Sequence, residues 1–367
     1  MASSALAATR ARIAQLGAEM EKLQRLMDSL LAEREKCHQT LADYKYPILT
    51  LPAEITSEIF LQFLPSYPER SRVIGPHSPS FLLQICRQWR DVALTTPALW
   101  STVELILRVD SSRYHAQQLD LLKMWLQRSG NCSLSVLLES IIGVDDDRTI
   151  VEECIDALLC HASRWQDMEI ILSPEGLRKI AGSMPLLHSL TIGMESREER
   201  PKTPVALFTD APALKRVLLY GSFDPFLVAL PWFQITTLRA EALYAKEAIE
   251  ILRHATMLED CSLDILSNDS PEPSTASSIP PLPLRSLRLQ SVGAFTDEMH
   301  QLFKALRLPV LQTLSVREDF LGPDPVATLA AVCRNGYPHE IEVIRPRTSR
   351  ESYAGAFPLA SFTFDFD

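Results

Sequence analysis

The sequence predicts a chain in two parts: an all-α N-terminal part, followed by an α/β array of stacked strand, turn and helix units. Three observations predict it. Apolar residues fall at alternating steps of three and four from Ile13 onward, two short amphipathic segments lie between Pro47 and Leu105, and one six-residue apolar pattern recurs through the second half.

The first element is a helix. Ile13, Leu16, Met20, Leu23, Met27 and Leu30 occupy heptad a and d positions, with Cys37 and Leu41 following after Arg34 interrupts the series. Glu19, Glu21, Lys22, Arg25, Glu33, Arg34, Glu35 and Lys36 keep the other face in water, and Glu21 and Arg25 stand at helical pairing distance. The stripe needs a cover, either through self-association as a coiled coil or by folding back on the rest of the chain.

Pro47 and Pro52 end that helix, because proline lacks an N–H and restricts the residue before it. Leu51 to Leu64 then reads as a short amphipathic helix carrying Ile55, Ile59, Phe60 and Phe63. Five residues of proline or glycine between Pro65 and Ser80 predict a loop. A second helix is expected over Phe81 to Leu94, with Leu82, Ile85, Trp89 and Val92 on one face, and Ala98 to Leu105 looks extended.

The recurring pattern is L-x-x-L-x-L in apolar terms. It starts at Leu187, Leu214, Ile235, Leu258, Leu284 and Leu311, at spacings of 27, 21, 23, 26 and 27 residues, and a looser copy begins at Trp165. The alternating tail of each copy suits a strand with one buried face. Helix starts are legible between copies at Ser173-Pro174-Glu175, Thr296-Asp297-Glu298 and Asp324-Pro325. One unit cannot bury both of its elements, so neighbours must stack. The Pro- and Ser-rich stretch 267–283 is expected to be a loop.

Composition excludes several functions. A net charge of −10 argues against a general nucleic-acid or anionic-membrane surface, and no segment approaches the apolar length of a membrane span. Seven scattered cysteines without a C-x-x-C pair suit reduced thiols, and the start of the chain lacks the basic and apolar regions of a signal peptide, so a cytosolic or nuclear protein is expected. There is no Gly-rich phosphate loop, G-x-S-x-G or H-E-x-x-H, so no enzyme activity, cofactor or metal is expected. Asp145 to Asp147 lack the glycine and glutamate of a calcium loop and read as a solvated helix start.

Three blocks carry a family resemblance: Leu51-Pro-Ala-Glu-Ile-Thr-Ser-Glu-Ile-Phe60, Ile85-Cys-Arg-Gln-Trp-Arg90 and Thr96-Pro-Ala-Leu-Trp100. Together they resemble the F-box, especially its fungal, mushroom-type form, and the heptad helix joined through Tyr44-Lys-Tyr-Pro47 is similar to the arrangement in such proteins. From about Trp165 the chain resembles the leucine-rich-repeat domains of F-box proteins, although its repeats are irregular and lack the usual Asn. The resemblance implies an N-terminal helix and helical F-box followed by an irregular leucine-rich-repeat solenoid. The expected parts are a helix over 1–46, an F-box over 47–105, a connecting region with the first irregular repeats over 106–164, the repeat domain over 165–350 and a tail over 351–367.

The function implied is that of a substrate receptor in an SCF ubiquitin ligase. Leu51, Pro52, Ile55, Ile59, Phe60, Leu83, Cys86 and Trp89 would contact a Skp-type adaptor and, through it, a cullin. Fifty residues cannot bury all of this apolar surface internally, although a small intramolecular core around Ile55, Ile59 and Trp89 is the competing reading. A protein substrate would meet exposed strand positions and adjoining turns, with His188, Ser189, Lys215, Arg216, Arg239, Arg285 and Arg288 as candidates. Their basic character suggests an acidic or phosphorylated partner. A non-degradative interaction scaffold is the alternative, and an enzyme of another kind the third option.

Overall fold

The computed structural model describes residues 2–44, 47–65, 70, 77–108, 115–141, 148–194, 206–221, 224–266, 279–292, 297–333 and 338–365. The chain forms two compact units, Met1–Glu58 and Ile59–Asp367.

The first unit is dominated by α1, an uninterrupted helix over Ala2–Asp43. All its described side chains from Leu6 onward are exposed, the heptad stripe included. A 3-10 turn over Pro47–Thr50 and the start of α2 (Ala53–Phe63) complete the unit.

In the second unit α2 is followed by α3 (Pro79–Leu82) and α4 (Arg87–Leu94). The single helix expected over Phe81 to Leu94 is therefore two helices. Ser78 caps α3 through a hydrogen bond from the Ser80 amide, and Cys86 turns fully extended (φ −156°, ψ 170°) to accept the Trp89 amide at the start of α4. A residue held extended to cap one helix cannot continue another.

Eleven strands form one open, all-parallel sheet: β1 (Thr102–Arg108), β2 (Leu134–Ile141), β3 (Trp165–Leu172), β4 (Ser189–Met194), β6 (Arg216–Tyr220), β8 (Thr237–Tyr244), β9 (Asp260–Leu266), β10 (Ser286–Val292), β11 (Thr313–Arg317), β12 (Glu340–Ile344) and β13 (Ser361–Asp365). They lie side by side in chain order, and β5 (Ala206–Leu207) pairs separately with β7 (Val228–Ala229). Parallel neighbours require a crossover between them. The crossovers carry α5 (His115–Arg128), α6 (Arg148–Leu159), α7 (Pro174–Leu177), α8 (Ala245–His254), α9 (Asp297–Ala305), α10 (Pro325–Val332) and α11 (Arg350–Ala356).

This corrects the expected fold. The chain is an α/β architecture, one long helix followed by a single unclosed eleven-stranded parallel sheet, and not a helical F-box joined to a leucine-rich-repeat solenoid. The helical segment has no core of its own: Phe60, Leu82, Val92, Leu99 and Trp100 belong to the same continuous apolar core as the strands. The sheet also runs past the expected 165–350 at both ends, taking in β1 and β2 before it and β13 from the expected tail. Of the expected loop 267–283, residues 267–278 lie outside the described residues, and Ile279 and Leu282 are buried. Asp145 to Asp147 and Thr296 also lie outside them.

The recurring pattern works through its first leucine. Leu187, Leu214, Ile235, Leu258, Leu284 and Leu311 are all buried, and each is followed by a residue whose carbonyl accepts two amides from the next copy. The His188 carbonyl takes Lys215 and Arg216, that of Lys215 takes Thr236 and Thr237, and that of Arg285 takes Gln312 and Thr313, all within 2.8–3.1 Å. This ladder fixes the register of successive strands, so spacings from 21 to 27 residues are absorbed in the crossovers.

Candidate functional site

Two surfaces are candidates. The first is the helical segment bearing the three motif blocks. In the first unit Leu51 is half-buried, while Pro52 and Ile55 are exposed. In the second unit Ile59 is exposed, but Phe60, one residue on, is fully buried with its ring 5.0 Å from that of Trp89 in an edge-on contact. Phe60 is therefore removed from the expected contact set: its side chain fills the core. Leu83 and Trp89 are half-buried against that core, and Cys86 serves as the α4 cap.

Two further apolar residues in the second unit join the exposed set. Phe81 is 46% exposed and Ile85 48% exposed, with Phe63 stacked on Phe81 at 6.4 Å. Sequence periodicity placed Ile85 on one face with Leu82, Trp89 and Val92 because it assumed one helix; the break before Arg87 separates it from them and turns it out to solvent.

The second surface is the sheet face opposite the buried alternate positions. Parallel register brings side chains into rows across the strands, one of which runs Glu169, Thr191, Leu218, Arg239, Ser262, Arg288, Ser315 and Glu342. Arg216, Arg239 and Arg288 stand on this face. His188, Lys215 and Arg285 lie instead in the turns that lead into the strands, and Ser189 is buried.

The expected basic face does not form. Every arginine candidate has a carboxylate beside it: Arg216 pairs with Asp167 at 3.4 Å, Arg239 with Glu241 at 3.0 Å, Arg285 with Glu259 at 3.7 Å and Arg288 with Glu342 at 3.7 Å. Lys215 donates to the Gln234 carbonyl, and the His188 ring lies 3.3 Å from the Ala213 carbonyl. Arg70, its side chain 5% exposed, meets Glu169 at 2.7 Å and Ser135 at 3.3 Å. Burial first, and then Glu169, Glu139 and Glu241, push the Tyr220 hydroxyl up; burial and Glu241 raise the Asp264 carboxyl against Arg239 and Arg288. The centre of the face is thus a mixed-charge network with an acidic rim.

Gly193 is required by this face. A Cβ there would stand 2.4 Å from the Tyr220 ring. Gly193→Ala is expected to cost about 1–3 kcal/mol by overpacking, and much less in a Tyr220→Ala background; equal costs in both backgrounds, measured by urea unfolding, would show that the ring is not the obstacle.

A cleft of about 370 Å³ opens past β11 and β12, lined by Asp297, His300, Glu318, Asp319 and Arg347 among others. Two of its three carboxylates, Asp319 and Glu318, are engaged internally. Asp319 meets Arg317 at 2.8 Å and Arg347 at 3.1 Å, while Glu318 binds the Thr348 amide and the Tyr353 hydroxyl. Among the described residues no three His, Cys, Asp or Glu side chains are grouped to hold a metal, and no helix is long and apolar enough to cross a membrane. Comparison with protein-family models and with curated proteins finds no match to this chain.

Proposed function

We propose that the chain is an F-box-type substrate receptor, in which the helical segment docks a Skp-type adaptor, and through it a cullin, while the sheet domain holds a protein substrate for ubiquitination. The observation that carries this reading is the split within the motif blocks. Within the second unit, Phe60, Trp89 and Trp100 are spent on internal packing, whereas Ile59, Phe81 and Ile85 keep large apolar side chains in water. Exposed apolar residues concentrated on one short segment mark a contact surface. Leu51, Pro52 and Ile55 precede Ile59 along the same chain segment, and Leu83, Cys86 and Trp89 fix the backbone that presents Ile85. The mixed-charge sheet face suits recognition of a polar protein surface through paired charges.

The test is a binding measurement with purified adaptor. Wild type is expected to bind, and Ile59→Asp with Ile85→Asp to lose about a hundredfold or more of the affinity, as when two apolar anchors are replaced by charges. Both positions are exposed, so the variant should unfold at the same urea concentration as wild type. A wild type that binds no adaptor, or a double variant that binds equally well, rejects the receptor and leaves the non-degradative scaffold.

A further inference from the structure

We propose that α1 is one strand of a parallel, in-register two-stranded coiled coil formed with a second copy of this chain. Among the described residues the first unit offers the stripe nothing else to pack on, since beyond α1 they form only a 3-10 turn and the beginning of α2. Yet Ile13, Met20, Leu23 and Leu41 are each more than 60% exposed. Local devices do not hold the helix up either: it has no acid in its first turn, no base in its last, and a glycine at position 17 with open space around it. A helix of this kind is stabilised by burying its apolar stripe.

The stripe is self-complementary. Ile13, Met20, Met27, Arg34 and Leu41 are the a positions, and Leu16, Leu23, Leu30 and Cys37 the d positions, so the steps of three and four continue through Arg34 without a break. Arg34 therefore lies in the seam. In a parallel pair its guanidinium lies beside Glu33 of the partner subunit at the flanking g position, and the partner's Glu33 also faces His38 of this chain at e. One polar a residue of this sort fixes register and favours two strands at some cost in stability. In the middle of the helix Leu26 at g and Leu31 at e, both exposed, widen the seam and would meet across it.

An antiparallel pairing of the whole stripe is worse. Setting Leu23 opposite the partner's Met27 places Arg34 against Leu16 with no counter-charge in the seam, and brings Glu19 against Glu33 at both ends. Each cost is avoided when the strands run the same way.

The native Cys37 makes the alignment measurable. At a d position of a parallel pair the two Cys37 residues face each other within the Cα separation a disulfide spans, whereas the antiparallel pairing puts Cys37 opposite Ile13. The full chain should sediment at twice its 41.2 kDa mass. Treatment with diamide, which takes up the two electrons and two protons released by the two thiols, should give a covalent dimer that a reductant reverses. Cys37→Ser should abolish that band and keep the doubled mass, and Cys160→Ser, at another exposed cysteine, should leave the band in place. Leu23→Glu with Leu30→Glu should halve the mass without moving the urea transition of the sheet unit. A monomer at every soluble concentration, a trimer, or a dimer in which Cys37 does not crosslink overturns the proposal. None of these readouts involves adaptor binding, so this inference and the receptor reading fail separately.

Discussion

Trp100→Ala is expected to destabilise the second unit by about 3–5 kcal/mol, the range for deleting a large aromatic side chain from a core. The indole is fully buried, packs edge-on against Trp125 with centroids 4.9 Å apart, and lies under the Arg128 guanidinium at 4.5 Å. Burial lowers the Arg128 pKa, and the half-buried guanidinium rests on the ring as a cation–π contact. The Trp100 Nε1–H donates to the Ala93 carbonyl at 2.9 Å, and Trp125 Nε1–H donates to that of Thr102 at 3.2 Å. Trp100 thereby ties the end of α4 to the first strand and to α5. Its removal leaves a cavity and takes the indole donor from the Ala93 carbonyl, which still accepts the Thr96 amide at 3.4 Å, while Trp100→Phe keeps an aromatic ring in the core and should cost only about 1–2 kcal/mol. Urea unfolding decides between them. A small, equal loss for both substitutions would mean that the helical segment and the sheet are held together elsewhere; a large loss with Trp100→Ala should also weaken the proposed adaptor binding, because Phe81 and Ile85 are presented by α3 and the turn after it.

The strands announced themselves where a leading leucine preceded the alternation. Leu187, Leu214, Leu258, Leu284 and Leu311 each anchor the turn before a strand, and the copies they begin became β4, β6, β9, β10 and β11. β12 and β13 escaped that pattern: Glu340-Ile-Glu-Val-Ile344 alternates cleanly but follows Pro338-His339, and Ser361-Phe-Thr-Phe-Asp365 has aromatic residues at the buried positions. β1 was legible in part: Ala98 to Leu105 reads as extended, but Pro97–Trp100 forms a 3-10 turn and the strand runs from Thr102 to Arg108. The proposed contact face was legible only in part. Ile59 and Phe60 are adjacent and equally apolar, and periodicity could not tell that Phe60 turns toward Trp89 while Ile59 turns to water. Charge pairing was invisible for a different reason. Arg288 and Glu342 are 54 residues apart in sequence and meet only because β11 alone separates their strands.

The same long-range logic makes Glu318 the most consequential carboxylate in the sheet unit. It sits in the 3-10 turn that follows β11, is 4% exposed, and accepts the backbone amides of Arg347 and Thr348 together with the Tyr353 hydroxyl at 2.8 Å. It thus pins the connection between β12 and α11 to the preceding crossover. Burial alone would raise its pKa; the hydrogen bonds from Thr348, Arg347 and Tyr353 outweigh burial and hold it below the ordinary glutamate value of 4.5. Burial and this carboxylate in turn push the Tyr353 hydroxyl up. Glu318→Gln keeps the shape but replaces one acceptor oxygen by a donor facing donors, and should cost about 2–4 kcal/mol near neutral pH, as for buried hydrogen bonds to a charged group. A depressed folded-state pKa contributes stability that is present above the unfolded value and lost as pH falls through the folded one. The gap between wild type and Glu318→Gln should accordingly be constant above about pH 5 and narrow as pH falls from the unfolded pKa towards the folded one. Urea titrations of both proteins across that window measure it directly, and because the other carboxylates titrate alike in the two chains, a gap that stays constant down to acid pH would mean that the negative charge on Glu318 contributes nothing.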